Sequence, residues 1–289
     1  MDSHKVPEKV KQLVHFGSRS LGRATANARL LPSFLLCGGQ RCGTTSLYRA
    51  LAGHPAILKA VLHKGVHYFD TSYHQGFSWY RGHFPLRVSA KRVETRVRVP
   101  VQTFESSPYY MYHPHAAERI ARDLPDVKLV VLVRDPVERA YSQHAHELAR
   151  GFEHIEEFTE AVDLEPSRLS GEAERLRTDP TYYSFSHQHH GYLARGRYVE
   201  YLERLAEIFG RDRIHVVDSH DFFTDPQPVF ADLLGYLGLP WLGDPPFEQH
   251  NARPRSSMPQ SVRDALDAYF APHDERLARW LGWVPSWRR

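Results

Sequence analysis

The residues best placed by type and spacing to do chemistry are Gly38-Gly39-Gln40-Arg41-Cys42-Gly43-Thr44-Thr45-Ser46. Gly38 and Gly43 have the G-x-x-x-x-G spacing of a loop that cradles phosphate. Glycines let successive backbone N–H groups turn inward, and a helix that follows adds the positive end of its dipole. A nucleotide triphosphatase would carry Lys and then Ser or Thr after the second glycine, with the hydroxyl holding magnesium. Here Thr44 stands where that lysine would be, and the cation lies inside the loop as Arg41. Such a loop suits an anion carried without a divalent metal.

The loop needs a strand before it and a helix after it, and both are legible. Phe34-Leu35-Leu36-Cys37 is a short apolar run, and Leu47, Tyr48 and Leu51 repeat with helical spacing. Val97, Val99, Val101 and Phe104 alternate as a strand does. A helix around 114–123 precedes the most apolar run of the chain, Lys128–Val133. Asp135-Pro136 then opens another helix, with Asp as the cap and Pro at the first helical position. Val137, Ala140, Tyr141, Ala145 and Leu148 give that helix one apolar face. Tyr198–Phe209 reads as helix, Ile214–Val217 as strand and Val229–Leu237 as helix. Strands alternating with helices predict an α/β fold: one three-layer domain with a mostly parallel central sheet flanked by helices.

Composition narrows the function classes. With 42% hydrophobic and 25% charged residues, the 289-residue chain can bury a full core, which excludes disorder as its main state. The longest apolar runs have strand length and fall short of a membrane span. Cys37 and Cys42 lie too close and too few for a disulfide framework, so a reducing, cytoplasmic setting is expected. A net charge of +3 is too slight to argue for nucleic acid but fits a local anion site. Residues 1–33 form a basic arm carrying Lys5, Lys9, Lys11, Arg19, Arg23 and Arg29, without the apolar core of a signal peptide. A solvated extension packed on the domain is expected there, with membrane-surface or partner binding as the alternative. Residues 34–289 form the domain proper.

The loop segment Gln40-Arg41-Cys42-Gly43-Thr44-Thr45-Ser46-Leu47 resembles the 5′-phosphosulfate loop of sulfotransferases that use 3′-phosphoadenosine 5′-phosphosulfate (PAPS). The resemblance is greatest to the branch holding heparan sulfate sulfotransferases and their bacterial relatives. Val131–Ser142 is similar to the family's 3′-phosphate segment, which assigns that phosphate to Arg134 and Ser142. Lys64-Gly65-Val66-His67-Tyr68-Phe69 looks like its K-E-x-H-Y/F-F segment, and Glu105-Ser106-Ser107-Pro108-Tyr109-Tyr110 like its E-x-S/T-P-x-Y segment. Gly235–Pro240 resembles a helix end of the family, and Asn251, Arg253 and Arg255 fall where it closes a loop over the nucleotide. The resemblance implies sulfuryl transfer from PAPS to a hydroxyl or amine of a glycan or other small acceptor. Gln40, Arg41, Cys42, Gly43, Thr44, Thr45 and Ser46 would hold the 5′-phosphosulfate end. Arg41 would stabilise the charge of the departing phosphate, and Lys64 would be a second cation near the sulfuryl oxygens.

One departure matters: Gly65 stands where the family has its glutamate base. His67, two residues on and on the same side if 65–69 is extended, is the first choice to replace it. Glu105 is the rival. The histidine pairs at His113/His115, His144/His146 and His187/His189/His190 match no recognised ligand pattern, so no metal is expected. Two other classes remain open on the sequence. A P-loop kinase or ATPase would need the missing lysine and an acidic strand end, where this chain has Arg134. A PAPS-binding protein without catalysis is suggested only by Gly65.

Overall fold

Strands that are apolar along their whole length need cover on both faces, and the order of elements provides it. The computed structural model describes residues 22–61, 63–245, 247 and 257–289. Strand β1 (Phe34–Gly38) leads through helix α1 (Thr44–Gly53) to a short strand, β2 (Ile57–Lys59), and then to helix α2 (Arg87–Val97). Next come β3 (Gln102–Ser106), α3 (Ala116–Asp123), β4 (Lys128–Val133) and α4 (Pro136–Ala149). Short helices lie between Phe158 and His189, before α5 (Tyr198–Phe209), β5 (Ile214–Asp218) and α6 (Ser219–Thr224). Helices α7 (Pro226–Leu237) and α8 (Gln260–Leu281) follow.

The strands make one sheet in the order β2-β3-β1-β4-β5, and every neighbouring pair is parallel. Every residue of β1 is buried, as is every residue of β4 after Lys128. Phe34 is level with Phe104 on one side and with Lys128 on the other, so β1, β3 and β4 finish along one edge. β1 is central, with β3 and β4 on opposite sides. The loops after β1 and β4 therefore open a crevice at the carboxyl ends, where an open parallel sheet binds its ligands.

Two expectations are corrected. Val97 and Val99 do not belong to a strand: Val97 ends α2, Arg98 is left-handed at φ 60°, and β3 begins only at Gln102. Ala90 and Val97 lie on the inner side of that helix, and the Val101 N–H is taken by Glu94 Oε1 at 3.2 Å, so helical spacing imitated a two-residue alternation. Helix α4 opens as expected, with Asp135 Oδ1 accepting from the N–H groups of Val137 (3.0 Å) and Glu138 (3.3 Å). Its buried face, however, follows the apolar stripe only in part, through Val137 and Ala140, which have no exposed surface. Arg139, Gln143 and Glu147, four residues apart, are fully buried, while Tyr141, Ala145 and Leu148 are only partly so. The reason is polar pairing, since Arg139 donates to Gln143 Oε1 at 2.7 Å and Gln143 to the His189 carbonyl at 2.9 Å.

Within the expected basic arm, residues 22–33 pack on the domain. Gly22 lies against Gly82, and Arg29 Nη1 donates to the Phe84 carbonyl at 2.6 Å. Residues 1–21 lie outside the described residues.

Leu132 sits on β4 with no exposed surface. Leu132→Ala should cost about 2–5 kcal/mol of stability, since a residual cavity adds to the lost transfer free energy. Urea unfolding should show a lower midpoint with an unchanged slope.

Candidate active site

The loop after β1 is shaped by backbone positions that few residues accept. Gly43, the cap of α1, has φ 87°, and a Cβ there would meet the Phe223 ring at 2.9 Å. Arg41 and His67, at φ 67° and 53°, are two of the three non-glycine residues with positive φ among the described residues. Strained positions of this kind gather where a fold holds a functional group in place. The Gly39 N–H bonds the Leu132 carbonyl at 2.9 Å, tying the loop to β4, and Ser219 Oγ donates to the Cys42 carbonyl at 2.8 Å. Cys42 and Ser46 point inward and are buried, so from these two positions the loop presents backbone. Burial pushes the Cys42 thiol up in pKa, and its sulfur lies 3.4 Å from the Tyr198 hydroxyl. That hydroxyl donates to the Arg134 carbonyl at 2.9 Å, so one tyrosine spans the loops after β1 and β4.

Lys64 reaches the start of α1, its Nζ donating to Thr45 Oγ1 at 2.9 Å and to Thr44 Oγ1 at 3.5 Å. Burial, with the nearby Arg49 charge, lowers its pKa to about 8. The segment that carries Lys64 is pinned along the end of β3. Ser106 N–H donates to the Lys64 carbonyl at 2.9 Å, Val66 N–H to Glu105 Oε2 at 3.0 Å, and His67 N–H to Ser107 Oγ at 3.1 Å.

His67 is not extended, as the sequence reading assumed. Its left-handed backbone folds the ring back over Gly65, and Nε2 lies 3.3 Å from where a Cβ of residue 65 would sit. The same Cβ would come within 2.5 Å of the Ser106 carbonyl oxygen, so glycine is required by close approach. His67 Nδ1 is 2.8 Å from Asp70 Oδ2. An ionised carboxylate only accepts, so Nδ1 carries the proton and Nε2 is the basic nitrogen. The Asp70 side chain is completely buried while that of His67 is 43% exposed, which leaves the ring reachable from solvent. Burial disfavours the charged imidazole, but the Asp70 charge and hydrogen bond outweigh it and hold the His67 pKa above its ordinary 6.5. The Asp70 carboxyl, although desolvated, is held below its ordinary 3.8 chiefly by His67.

Glu105, the rival base, occupies a different place. It has no exposed surface and accepts from Ser107 Oγ (2.6 Å), Tyr110 OH (2.7 Å), Val66 N–H and, at 3.4 Å, Tyr80 OH. Burial raises its pKa against the pull of those donors. A carboxylate so enclosed cannot reach an acceptor. Its bonds to Val66 N–H and Ser107 Oγ hold the segment that bears His67.

On the other side of the loop, Arg134 Nη1 donates to the Arg41 carbonyl at 3.2 Å and Nη2 lies 3.5 Å from Glu138 Oε2. Arg41 Nε donates to Ser142 Oγ at 3.1 Å, with Nη1 3.5 Å from His146 Nδ1. The structure thus groups Arg41, Arg134 and Ser142, while Lys64 meets the hydroxyls of α1. Arg41, expected at the 5′ end, lies beside Ser142, one of the two residues assigned to the 3′-phosphate. Gln40 is drawn beneath the loop, donating to Glu147 Oε1 at 3.3 Å and accepting from Arg195. Asn251, Arg253 and Arg255 lie outside the described residues. Asp70, Ser107, Arg195 and Tyr198 were missed by sequence reasoning. Only Asp70, three residues beyond His67, carried a local signal.

The sign of the His67–Asp70 coupling is testable. Because the His67 pKa is raised and the Asp70 pKa lowered, the pair's stabilisation should be full only between the ordinary values of 3.8 and 6.5. It should fade as pH climbs through the raised histidine value or falls through the depressed carboxyl value. Asp70→Asn should drop the His67 pKa below 6.5, as burial then acts with less opposition. An NMR titration of the ring protons would show it.

Comparison with known proteins agrees with this geometry. Residues 31–252 match the family described as "Sulfotransferase domain". The chain is 25% identical to the "Membrane-associated sulfotransferase kil1" of Dictyostelium discoideum, over 89% of this chain and 67% of that protein. It is 29% identical to human "Heparan sulfate glucosamine 3-O-sulfotransferase 5", over 76% of this chain and 56% of that protein. Against the N-deacetylase/N-sulfotransferase of Caenorhabditis briggsae it spans only 32% of the relative's length. The crystal structure of a sulfotransferase from Alicyclobacillus acidocaldarius superposes with a TM-score of 0.65, covering 90% of this chain and all of that one at 28% identity. The chain belongs to the sulfotransferase domain family.

Proposed function

We propose that this protein transfers the sulfuryl group of PAPS to a hydroxyl or amine of a glycan or other small acceptor, with His67 as the general base. The observation that carries this reading is the convergence of His67 Nε2 and Lys64 Nζ on one pinned segment beside the phosphate-type loop. His67 Nε2 takes the acceptor's proton as the new oxygen– or nitrogen–sulfur bond forms. The bond between sulfur and the bridging oxygen breaks in line, and its electron pair passes to the 5′-phosphate. Lys64, the Thr44 and Thr45 hydroxyls and the N–H groups opening α1 are placed to meet that charge. Arg134, Ser142 and Arg41 offer two cations and a hydroxyl to the 3′-phosphate. The cradle fits a bisphosphorylated nucleotide through this chain's own donors.

A cavity of about 260 Å³, lined by Asp70 together with Tyr73, Tyr109, Arg119 and Tyr183, offers room for an acceptor ring. Gly65 had left open a protein that binds PAPS without turning it over. His67, folded into the space beside Gly65 and oriented by Asp70, favours catalysis. Two free, buried cysteines agree with a reducing compartment, and we retain a cytoplasmic setting as part of the proposal.

The base should be separable from nucleotide binding. His67→Ala should lower turnover roughly 10²–10⁴-fold while leaving the affinity for adenosine 3′,5′-bisphosphate within a few fold. Equal losses in both, by kinetics and calorimetry, would defeat the assignment.

The pH profile of kcat should be bell-shaped. Its acid limb should lie above pH 6.5, where His67 loses its proton, and its alkaline limb near pH 8, where Lys64 loses its charge. Lys64→Arg should move the alkaline limb upward and leave the acid limb in place.

Arg134→Ala should weaken adenosine 3′,5′-bisphosphate by about tenfold or more, the worth of a charge-assisted phosphate contact. Adenosine 5′-phosphosulfate, which lacks the 3′-phosphate, should change little. Comparable losses for the two ligands would remove Arg134 from that role.

A further inference from the structure

Helix α2 is poorly explained by the fold that carries it. Of its eleven residues only Ala90 is buried. Arg87, Lys91, Arg92 and Arg96, with Arg98 at its end, are all exposed, and Glu94 is the one acid among them. Five cations against one acid give residues 87–98 a net charge of +4, whereas the whole chain carries +3. The rest of the chain carries a net charge of −1, although residues 1–33 hold a second excess of +4, with six cations against Asp2 and Glu8.

The placing of those charges works against the helix itself. Arg87 and Lys91, and again Arg92 and Arg96, are like charges four residues apart, a spacing that destabilises a helix. Arg87 also sits at the positive end of the helix dipole, and the first turn holds no acid to offset it. Arg98 takes a left-handed backbone at φ 60°, where glycine would be unstrained. Lys91 pairs with Glu94 at 3.3 Å, but Arg87, Arg92, Arg96 and Arg98 form no ion pair among the described residues. Beside them Val88 is 57% exposed and Val61 59% exposed. Val61 belongs to the same region, since its N–H donates to the His83 carbonyl at 2.7 Å, three residues before the cap of α2.

We propose that the outer face of α2 docks on an anionic lipid bilayer. Arginine side chains can lay their stems along the interface while the guanidinium groups meet lipid phosphates and carboxylates, and the exposed valines enter the shallow apolar layer. Those valines favour a bilayer over a soluble polyanion, which offers them nothing. Most of the face lies apart from the candidate active site, since α2 leads into the amino end of β3, whereas the segments that carry the site leave the carboxyl ends of β1, β2, β3 and β4. Val61, just past β2 and three residues before Lys64, marks the edge where the two meet. The proposal stands independently of the sulfuryl-transfer reading.

The test is co-sedimentation of the full chain with phosphatidylcholine vesicles containing about 30% phosphatidylserine, against vesicles of phosphatidylcholine alone. Binding should require phosphatidylserine and weaken as salt is raised. The triple variant Arg87→Glu, Arg92→Glu, Arg96→Glu should bind at least tenfold more weakly, with its circular dichroism and its affinity for adenosine 3′,5′-bisphosphate unchanged. Val88→Asn, which leaves the charge unchanged, should also weaken binding, which a purely electrostatic contact would not predict. A second variant, with Lys5, Lys9 and Lys11 changed to Glu, should keep most of its binding. The proposal is overturned if the wild-type chain ignores the vesicles, if the α2 triple variant binds as well as wild type, or if the Lys5/Lys9/Lys11 variant alone loses binding. Tight binding to a sulfated polysaccharide without binding to vesicles would overturn it in favour of a glycan surface.

Discussion

A carboxylate buried beyond the reach of water must be satisfied by its neighbours, and Glu105 imposes that demand on the centre of this molecule. Its two oxygens collect donors from Val66, Ser107, Tyr110 and Tyr80. Removing any one would leave a buried acceptor short of a partner, which costs more than a typical hydrogen bond contributes. The segment from Lys64 to His67 therefore has one place to lie, against the end of β3. Tyr110 also donates from its own N–H to the Ser107 carbonyl and receives the Tyr68 N–H on its hydroxyl, so the aromatic layer under the site is held by the same set of bonds. Local strain at His67 is tolerated because the backbone on either side is fixed in this way.

A second polar layer supports the opposite half of the loop. Glu147 takes the Gln40 amide on one oxygen and faces His189 Nδ1 at 3.0 Å on the other. Arg195 reaches Gln40 and the carbonyls of His187 (2.9 Å) and Gln188 (2.5 Å), with its guanidinium over the rings of Tyr109 and Tyr112. Groups of this kind are weak sources of net stability, because desolvation opposes their attraction. Their effect is geometric. Although Arg195 Nε has no partner, so many paired groups permit few alternative packings, and they hold the loop after β1 in one place.

Much of this was legible because it rests on short-range rules. The run Lys128–Val133 has one reading, a strand covered on both faces, and Asp135-Pro136 can hardly do other than start a helix. The loop Gly38–Ser46 announces itself by glycine spacing and its place between strand and helix. What stayed hidden depends on long-range pairing. Arg139, Gln143 and Glu147 look like an exposed polar stripe until His189, Tyr192 and Gln40, distant in sequence, come to meet them. On paper His67 is the first choice of base and Glu105 its rival, and burial is what sets them apart in the fold. That Arg41 turns toward Ser142 was hidden because a loop residue's direction depends on its φ, and no pattern in the sequence signals a left-handed arginine.

Gly65 bears on how such a site could have come about. The segment that residues 64–67 resemble, K-E-x-H, has a glutamate at this position. Here the backbone lies so near Ser106 that even a first side-chain carbon would press on a carbonyl oxygen, and the neighbouring room is filled by the His67 ring. The two arrangements therefore exclude each other at the level of the main chain. The resembled segment carries a histidine at the place of His67 as well, so the exchange to glycine alone is enough to free the space that this ring occupies. What the glycine changes is the path of the main chain: a residue already present can turn back over position 65, and any side chain restored there would have to push the turn away from Ser106 first.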